Sequence, residues 1–186
     1  MDAQSEKEKY EETWENVDWY RMRSPGECVV LDYIIRCDPE HGKIIDFGAG
    51  TGRAAHRLHK LHFDVTMIDI AANCLDEDVK KDIGDQLIVK NLWEPLDMPR
   101  APEGFCSDVM EHFPTEHVDA VIKNMMGLCD RVFFQICLEP HYDDSTGIEY
   151  HLTVRPFTWW RDKLNEFGTV IDARDLKRNG WFYVKS

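Results

Sequence analysis

The chain has 186 residues, 43% of them hydrophobic, and this length and apolar content predict one domain, residues 1–186, with a full core. Its formal charge of −13 disfavours a nucleic-acid partner, because a phosphate backbone is bound through clustered lysines and arginines. The first residues are too polar for a secretory signal and no apolar run reaches transmembrane length, so we expect a cytoplasmic protein without membrane contact.

The N-terminal segment predicts two helices. Tyr10, Trp14 and Val17 recur at helical spacing, and the turn residues within 20–26 end that pattern. Residues 27–35 repeat apolar side chains at the same spacing. The first of these helices is a candidate cover for a ligand pocket.

Residues 43–53, Lys-Ile-Ile-Asp-Phe-Gly-Ala-Gly-Thr-Gly-Arg, predict a strand, a tight turn and the start of a helix. The apolar run suits a strand buried on both faces, while Gly48 and Gly50 permit positive φ and a ligand close to the backbone. The helix then begins with free N–H groups that face the turn. A nucleotide-like ligand is therefore indicated, although Arg53 stands where the dinucleotide-binding pattern requires a small residue.

The pattern after this turn alternates strands and helices. Residues 63–70 predict a strand ending in Asp69, where a carboxylate accepts hydrogen bonds from ribose hydroxyls. The further predicted elements are helices at 72–81, at 116–126 and from Pro156, strands at 86–91, 104–109 and 131–137, a hairpin of 170–174 with 181–184, and irregular connections at 94–104 and 138–155. This alternation predicts an α/β fold with a doubly wound, mostly parallel sheet and helices on both faces.

The G-x-G-x-G spacing after Asp46, with Asp69 about one helix later, resembles motif I of the class I S-adenosylmethionine-dependent methyltransferases. Residues 110–114, Met-Glu-His-Phe-Pro, resemble the segment after the fourth strand in small-molecule members of that family. The resemblance covers residues 43–184 as a Rossmann-like core. It implies a seven-stranded sheet with a C-terminal antiparallel hairpin, S-adenosylmethionine as cofactor, and a lid formed by residues 1–25.

The resemblance also implies a cofactor site at the carboxyl ends of the strands. Asn91 stands where the family commonly has an acid that binds the adenine amino group, and its amide oxygen can accept the same hydrogen bond. Leu92 or Trp93 can lie against the purine ring, and Arg21 or Arg23 can pair with the methionine carboxylate. The implied set is Asp46, Gly48, Ala49, Gly50, Asp69, Ile70, Asn91, Leu92, Trp93, Asp108 and Arg21.

An oxygen or nitrogen acceptor must lose a proton, to a base or with help from a metal, and the candidates are His112, His151, Asp108 and Glu111. The spacing Asp108-x-x-Glu111-His112 is similar to the E-x-x-E-H metal segment of ubiquinone-pathway O-methyltransferases and of small-RNA 3′-end 2′-O-methyltransferases. In the RNA enzymes a further histidine contributes, and His151 is its counterpart. This similarity implies magnesium, manganese or zinc held by Asp108, Glu111, His112 and His151. Many family members carry Glu-His here without a metal, and the acids can instead charge the first turn of a helix.

The leading hypothesis is O- or N-methylation of a small-molecule acceptor by a monomer or homodimer. One alternative keeps the cofactor but transfers aminopropyl groups or cleaves the cofactor, and another is a catalytically silent binding module. A nicotinamide enzyme is a more distant alternative. The six cysteines form no C-x-x-C pair and are predicted to be reduced thiols rather than zinc ligands.

Overall fold

The structure, a computed structural model, describes residues 2–144 and 146–186. Its helices are α1 Ala3–Asn16, α2 Asp18–Met22, α3 Pro25–Cys37, α4 Arg53–Lys60, α5 Glu77–Ile83, α6 Thr115–Leu128 and α7 Phe157–Asn165, with short 3₁₀ helices Gly84–Gln86 and Met110–His112. Its strands are β1 Lys43–Phe47, β2 Asp64–Asp69, β3 Leu87–Val89, β4 Ala101–Ser107, β5 Cys129–Cys137, β6 Tyr142–Asp143, β7 Ile148–Glu149, β8 Thr169–Asp175 and β9 Asn179–Lys185.

The predicted fold class is confirmed by the strand order of the main sheet, β3-β2-β1-β4-β5-β9-β8. The five strands from β3 to β5 in this order are parallel, while β9 is antiparallel to β5 and to β8. The chain therefore reverses direction of winding between β1 and β4, which places a crevice at their carboxyl ends.

Helices cover both faces of this sheet, and each face has its own hydrophobic core. α3, α4 and α5 pack on one face, where Tyr33, Phe105 and Phe133 are buried. α6 and α7 pack on the other face, where Phe134 and Trp160 are buried. Within the described residues, no helix combines the length and apolar character needed to span a membrane.

The predicted helix at 72–81 was placed too early, because α5 begins five residues later. The carboxylate of Asp76 lies 2.6 Å from Nε of Arg53 at the start of α4. Leu75 is buried, and its side chain would lie 2.7 Å from a Cβ added to Gly52. Residues before α5 thus pack irregularly against the glycine turn, which is a tertiary contact that helical periodicity does not reveal.

The fourth strand begins three residues earlier than predicted, at Ala101, so the segment 94–104 is irregular only in its first part. Pairing of β1 with β4 begins at Ile44 and Glu103. Pro102 precedes that ladder, so its missing N–H costs no hydrogen bond to β1. The connection 138–155 contains the short β6–β7 hairpin, and one residue within it, Ser145, lies outside the described residues.

A buried acid joins four elements near the amino end of β4. Glu103 is fully buried, and its Oε2 accepts hydrogen bonds from the Tyr33 hydroxyl at 3.2 Å and the Tyr183 hydroxyl at 2.8 Å. Its Oε1 lies 2.7 Å from a guanidinium nitrogen of Arg131. Burial raises the pKa of Glu103, although these partners favour its ionised form. The network ties α3, β4, β5 and β9 together on the side of the sheet away from the glycine turn.

The cysteines agree with the prediction of reduced thiols. All six are free, and Cys74, Cys106 and Cys129 are buried. Burial raises the pKa of these thiols, so they stay protonated and behave as small apolar side chains.

Candidate functional site

A cavity of about 360 Å³ lies at the carboxyl ends of the parallel strands. α1 and α2 line one part of it, and the segment after β5 lines another. The predicted site residues on its wall are Asp46, Gly48, Ala49, Gly50, Asp69, Ile70, Asn91, Leu92, Trp93, Asp108, His112 and His151. The structure thus brings residues from β1, β2, β4 and the connections after β3 and β5 into one pocket.

The glycine turn after β1 is held by the end of β2. The N–H groups of Gly48 and Ala49 both donate to the Ile68 carbonyl, at 2.8 and 3.1 Å. Gly48 and Gly50 have φ of +73° and +52°, a region that favours glycine. A Cβ on Gly48 would overlap the side chain of Val109, so the turn fits closely against the segment after β4.

Asp69 is buried at the end of β2 and shapes this turn directly. Its Oδ2 accepts from the Gly50 N–H at 2.8 Å, and its Oδ1 accepts from the Ala71 N–H at 3.0 Å. Burial raises the pKa of Asp69, while the hydrogen bonds from the Gly50 and Ala71 N–H groups lower it. Each carboxylate oxygen has a second lone pair, so Asp69 can accept further hydrogen bonds from a ligand in the cavity.

Several buried polar atoms on the cavity wall have no hydrogen-bond partner among the described residues. They are Oε1 of Glu6, Oδ2 of Asp46, Nδ2 of Asn91 and Oγ of Ser107. Buried polar groups are nearly always paired in folded proteins, because leaving them unpaired is costly. The wall therefore presents both donors and acceptors to a polar ligand. Burial and the nearby charge of Asp69 raise the pKa of Asp46 to about 7.

Asn91 lines the cavity as a potential acceptor and donor. Its Oδ1 accepts a hydrogen bond from the Trp93 N–H at 3.0 Å and keeps a second lone pair, and its amide nitrogen has no partner among the described residues. Trp93 stacks on His117 with ring centroids 4.3 Å apart, which holds the indole in a fixed position on the wall.

Arg23, rather than Arg21, lies on the cavity wall. The guanidinium of Arg21 donates to the backbone carbonyls of Trp14, Asn73 and Cys74. Arg21 therefore fastens α2 to the loop after β2, and the structure does not bring it to the site. The Arg23 guanidinium lies over the Trp19 ring, 5.3 Å from its centroid.

Glu111, His112 and His151 form a compact group, with one potential ligand atom from each lying within 4.8 Å of the others. Glu111 Oε1 accepts from the Cys137 N–H at 2.8 Å, and its Oε2 has no partner among the described residues. His151 Nδ1 lies 2.6 Å from the Glu139 carbonyl. Because a carbonyl only accepts, His151 carries its proton on Nδ1 and has a bare Nε2.

The surroundings disfavour the charged forms of all three side chains. Burial, and then the charge of Asp108, raises the pKa of Glu111 well above its ordinary value. Burial lowers the pKa of His112 and of His151. Both imidazoles are thus neutral near pH 7, in the form that accepts a proton or binds a metal.

Asp108 does not belong to this group, contrary to the prediction of one helical face. It has a φ of +54°, and the residues after it form a 3₁₀ helix, so the expected α-helical turn is not made. Its Oδ1 accepts from Gln135 Nε2 at 3.2 Å, and it lines the cavity separately.

The wall residues that sequence reasoning did not identify include Glu6, Trp19 and His141. Glu6 precedes Tyr10 by one helical turn, so it extends the face of Tyr10 and Trp14. A lone acid on an otherwise aromatic helix face was the available signal. Nothing in the local sequence marks Trp19 or His141.

No protein-family model and no curated protein sequence matches the chain. Among solved structures, it is similar to 1,6-didemethyltoxoflavin-N1-methyltransferase of Burkholderia thailandensis, with bound 1,6-didemethyltoxoflavin and S-adenosylhomocysteine. The TM-score is 0.79 and the identity is 11%, over 99% of this chain and 88% of that chain. It is also similar to magnesium protoporphyrin IX methyltransferase of Synechocystis PCC 6803 with bound SAM, with a TM-score of 0.70 and 15% identity over 100% and 98% of the two chains. The glycopeptide N-methyltransferase MtfA, complexed with S-adenosylhomocysteine, gives a TM-score of 0.68 and 11% identity over 87% of each chain. The chain therefore has the fold of the class I S-adenosylmethionine-dependent methyltransferases.

Proposed function

We propose that the chain is an S-adenosylmethionine-dependent methyltransferase that methylates an oxygen or nitrogen of a small molecule. The observation that carries this proposal is the joint position of Asp69 and Asp46. Asp69 supports the glycine turn, and Asp46 lines the same cavity and has a buried oxygen, Oδ2, without a hydrogen-bond partner among the described residues. The solved structures of this fold that contain the cofactor or its demethylated product support the proposal.

The residues on the wall fit the cofactor group by group. Asp69 can accept ribose hydroxyls, and Asp46 Oδ2 can accept from the ammonium of the methionine part. The unpaired Asn91 amide can donate to a nitrogen of the adenine ring, and Leu92 and Trp93 supply apolar surface beside it. When bound, the cofactor supplies a methyl carbon that is already activated by its sulfonium.

The chain contributes alignment and proton removal. Transfer to such a carbon depends mainly on holding the acceptor in line with the methyl group. His151 lines the cavity with a bare Nε2, so we assign it as the base that takes the acceptor's proton. His112 and Glu111 lie beside it as the neighbouring proton-carrying groups.

A small acceptor is favoured by the size of the site. The cavity measures about 360 Å³ and is lined by α1 and α2, and this volume is typical of small-molecule pockets. The strongly negative net charge argues against nucleic acid. The similar methyltransferases act on ring compounds in two cases, 1,6-didemethyltoxoflavin and magnesium protoporphyrin IX.

Screening tests this function directly. Extracts are incubated with the protein and cofactor labelled on the methyl group, and labelled products are identified by mass spectrometry. We expect a methylated small molecule and S-adenosylhomocysteine in equal amounts. An aminopropylated product, or cleavage of the cofactor, would replace this proposal by another reaction on the same fold. Binding of the cofactor without turnover on any extract would favour a silent binding module, and binding of NAD instead would overturn the cofactor assignment.

As an alternative to proton removal by His151, the three residues Glu111, His112 and His151 fit a divalent metal. Two neutral imidazoles and a carboxylate are a common set for zinc or manganese, and each has a second contact that fixes its orientation. A metal at this position would acidify an acceptor hydroxyl. Asp108, which is held by Gln135, is not needed for this set.

Metal binding is measured without the acceptor. Protein dialysed against a chelator is titrated with Mg²⁺, Mn²⁺ or Zn²⁺ in a calorimeter. We expect one of these ions to bind at a single site, and Glu111→Gln and His151→Ala to abolish binding because each removes one ligand. His141→Ala is the matched control, since its ring contacts His151 but lies outside the three-residue group. Unchanged binding in the first two variants would rule out this ligand set.

Cofactor binding should release a proton near neutral pH. Asp46 has a pKa of about 7, so a substantial fraction of it is protonated there. An ammonium next to Oδ2 favours the carboxylate, lowers its pKa and expels the proton, so affinity should rise as pH increases through 7. Calorimetry in buffers of different ionisation enthalpy measures the release. Asp46→Asn should abolish this release, and proton uptake in the natural chain would contradict the assignment.

A further inference from the structure

Tyr10 joins the N-terminal helix to the histidine pair of the site. Its hydroxyl oxygen lies 2.9 Å from Nδ1 of His112, across 102 positions of sequence. The ring of Tyr10 lines the cavity, and its centroid lies 6.1 Å from that of His112. The contact is therefore part of the cavity wall and not a surface hydrogen bond.

α1 reaches both ends of the cavity. At the glycine turn, Trp14 lies 3.4 Å from the position of a Cβ on Gly50. At the other end, the Tyr10 hydroxyl meets His112, and behind the cavity wall Thr13 Oγ1 lies 3.3 Å from the Tyr150 hydroxyl. α1 thus lines the cavity from the glycine turn to His112. Movement of α1 away from the cavity would break the bond between Tyr10 and His112.

The hydroxyl of Tyr10 can donate to Nδ1 of His112 or accept from it, and because a phenol is a stronger donor than a neutral imidazole N–H, the bond favours a bare Nδ1 and a proton on Nε2. A neutral imidazole has one N–H and one bare nitrogen, and the bond at Nδ1 decides what Nε2 carries. His151 has its own fixed tautomer, set by the Glu139 carbonyl, that does not involve α1. The tautomer of His112 thus depends on the position of α1, whereas the tautomer of His151 does not.

We propose that Tyr10 is a positioning residue that fixes the tautomer and orientation of His112 only when α1 covers the cavity. On the proposed function, this couples enclosure of the ligands to assembly of the proton-handling group of Glu111, His112 and His151. Tyr10 itself does not touch the reacting atoms. Only this coupling rests on the proposed function, because the hydrogen bond between Tyr10 and His112 exists whatever reaction the protein catalyses.

Nitrogen NMR of the histidine rings tests the proposal without an acceptor. In chelator-treated protein, ¹⁵N shifts of His112 should show one fixed tautomer, and Tyr10→Phe should give averaged shifts of two tautomers because only the hydroxyl is lost. The shifts of His151 should not change. Thr13→Val is the matched control: it removes another polar contact of α1 and should leave His112 in one tautomer. Averaged shifts in the natural chain, or one tautomer in Tyr10→Phe, would overturn the proposal.

Two further measurements separate this inference from the proposed function. Tyr10→Phe should bind S-adenosylhomocysteine within about 2-fold of the natural chain, because the hydroxyl faces His112 rather than the glycine turn. With an acceptor from the extract screen, kcat should fall about 2- to 12-fold, the loss of one hydrogen bond, while KM changes little. Failure of the natural chain to bind the cofactor would defeat the proposed function and leave the tautomer result intact. An unchanged kcat in Tyr10→Phe would defeat the positioning role alone.

Discussion

Replacing Asp69 with alanine should weaken S-adenosylmethionine binding by about 1.5–3 kcal/mol, or roughly 10- to 150-fold in affinity, because a charged acceptor is lost. The variant also loses the acceptor of the Gly50 N–H, so the glycine turn is no longer held to the end of β2. Loss of the acceptor and loss of support for the glycine turn both weaken binding of the cofactor. Calorimetric titration with the cofactor measures the change.

Asp64→Ala provides the control for this result. Asp64 begins the same strand, is exposed, and lies at the opposite end from the cavity. Its replacement should leave affinity unchanged. Equal affinities for the cofactor in the natural chain and a folded Asp69→Ala variant would show that the cavity does not bind it through this carboxylate.

Replacing Glu103 with alanine should lower the free energy of unfolding by about 3 kcal/mol, at the lower end of the range for breaking a buried ion pair. The hydroxyls of Tyr33 and Tyr183 lose their acceptor. Arg131 loses a partner at 2.7 Å but is partly exposed and can bind water instead, which limits the loss.

Denaturant unfolding followed by circular dichroism measures this change. Glu103→Gln keeps an acceptor oxygen and should be destabilised less than the alanine variant. Asp162→Ala, which removes the exposed partner of Arg161, should change stability by less than 1 kcal/mol. If Glu103→Ala also lowered the free energy of unfolding by less than 1 kcal/mol, the buried network would not stabilise the fold.

Elements with a strong local pattern were predictable from the sequence. β1 is an apolar run that ends in glycines, and α3 repeats apolar residues at helical spacing. The β8–β9 hairpin follows from two strand patterns separated by a short turn. The start of α5 was wrong because the preceding residues pack irregularly against the glycine turn, a contact made only in the folded chain.

The candidate site also contains residues whose position was predictable from the sequence and residues whose position was not. Asp46, Gly48, Gly50 and Asp69 follow directly from strand ends, so their shared position at one sheet edge was predictable. Tyr10 and His112 are separated by 102 residues, and no local pattern indicates that they meet. The choice between Arg21 and Arg23 likewise depends on where α2 ends, since Arg21 lies within it and Arg23 follows it. Exclusion of Asp108 from the Glu111 group depends on a left-handed backbone conformation that residue spacing does not show.

The acidity of the cavity wall has a consequence for turnover. Carboxylic groups reach it from α1, β1, β2 and the segment after β4, namely Glu6, Asp46, Asp69 and Asp108. The cations on the same wall, Arg23 and Lys90, are exposed and therefore better screened. An acidic wall attracts a sulfonium more strongly than the neutral thioether that remains after methyl transfer, and burial amplifies the difference. On the proposed reaction, loss of that charge weakens retention of the spent cofactor and so favours its exchange for a fresh molecule.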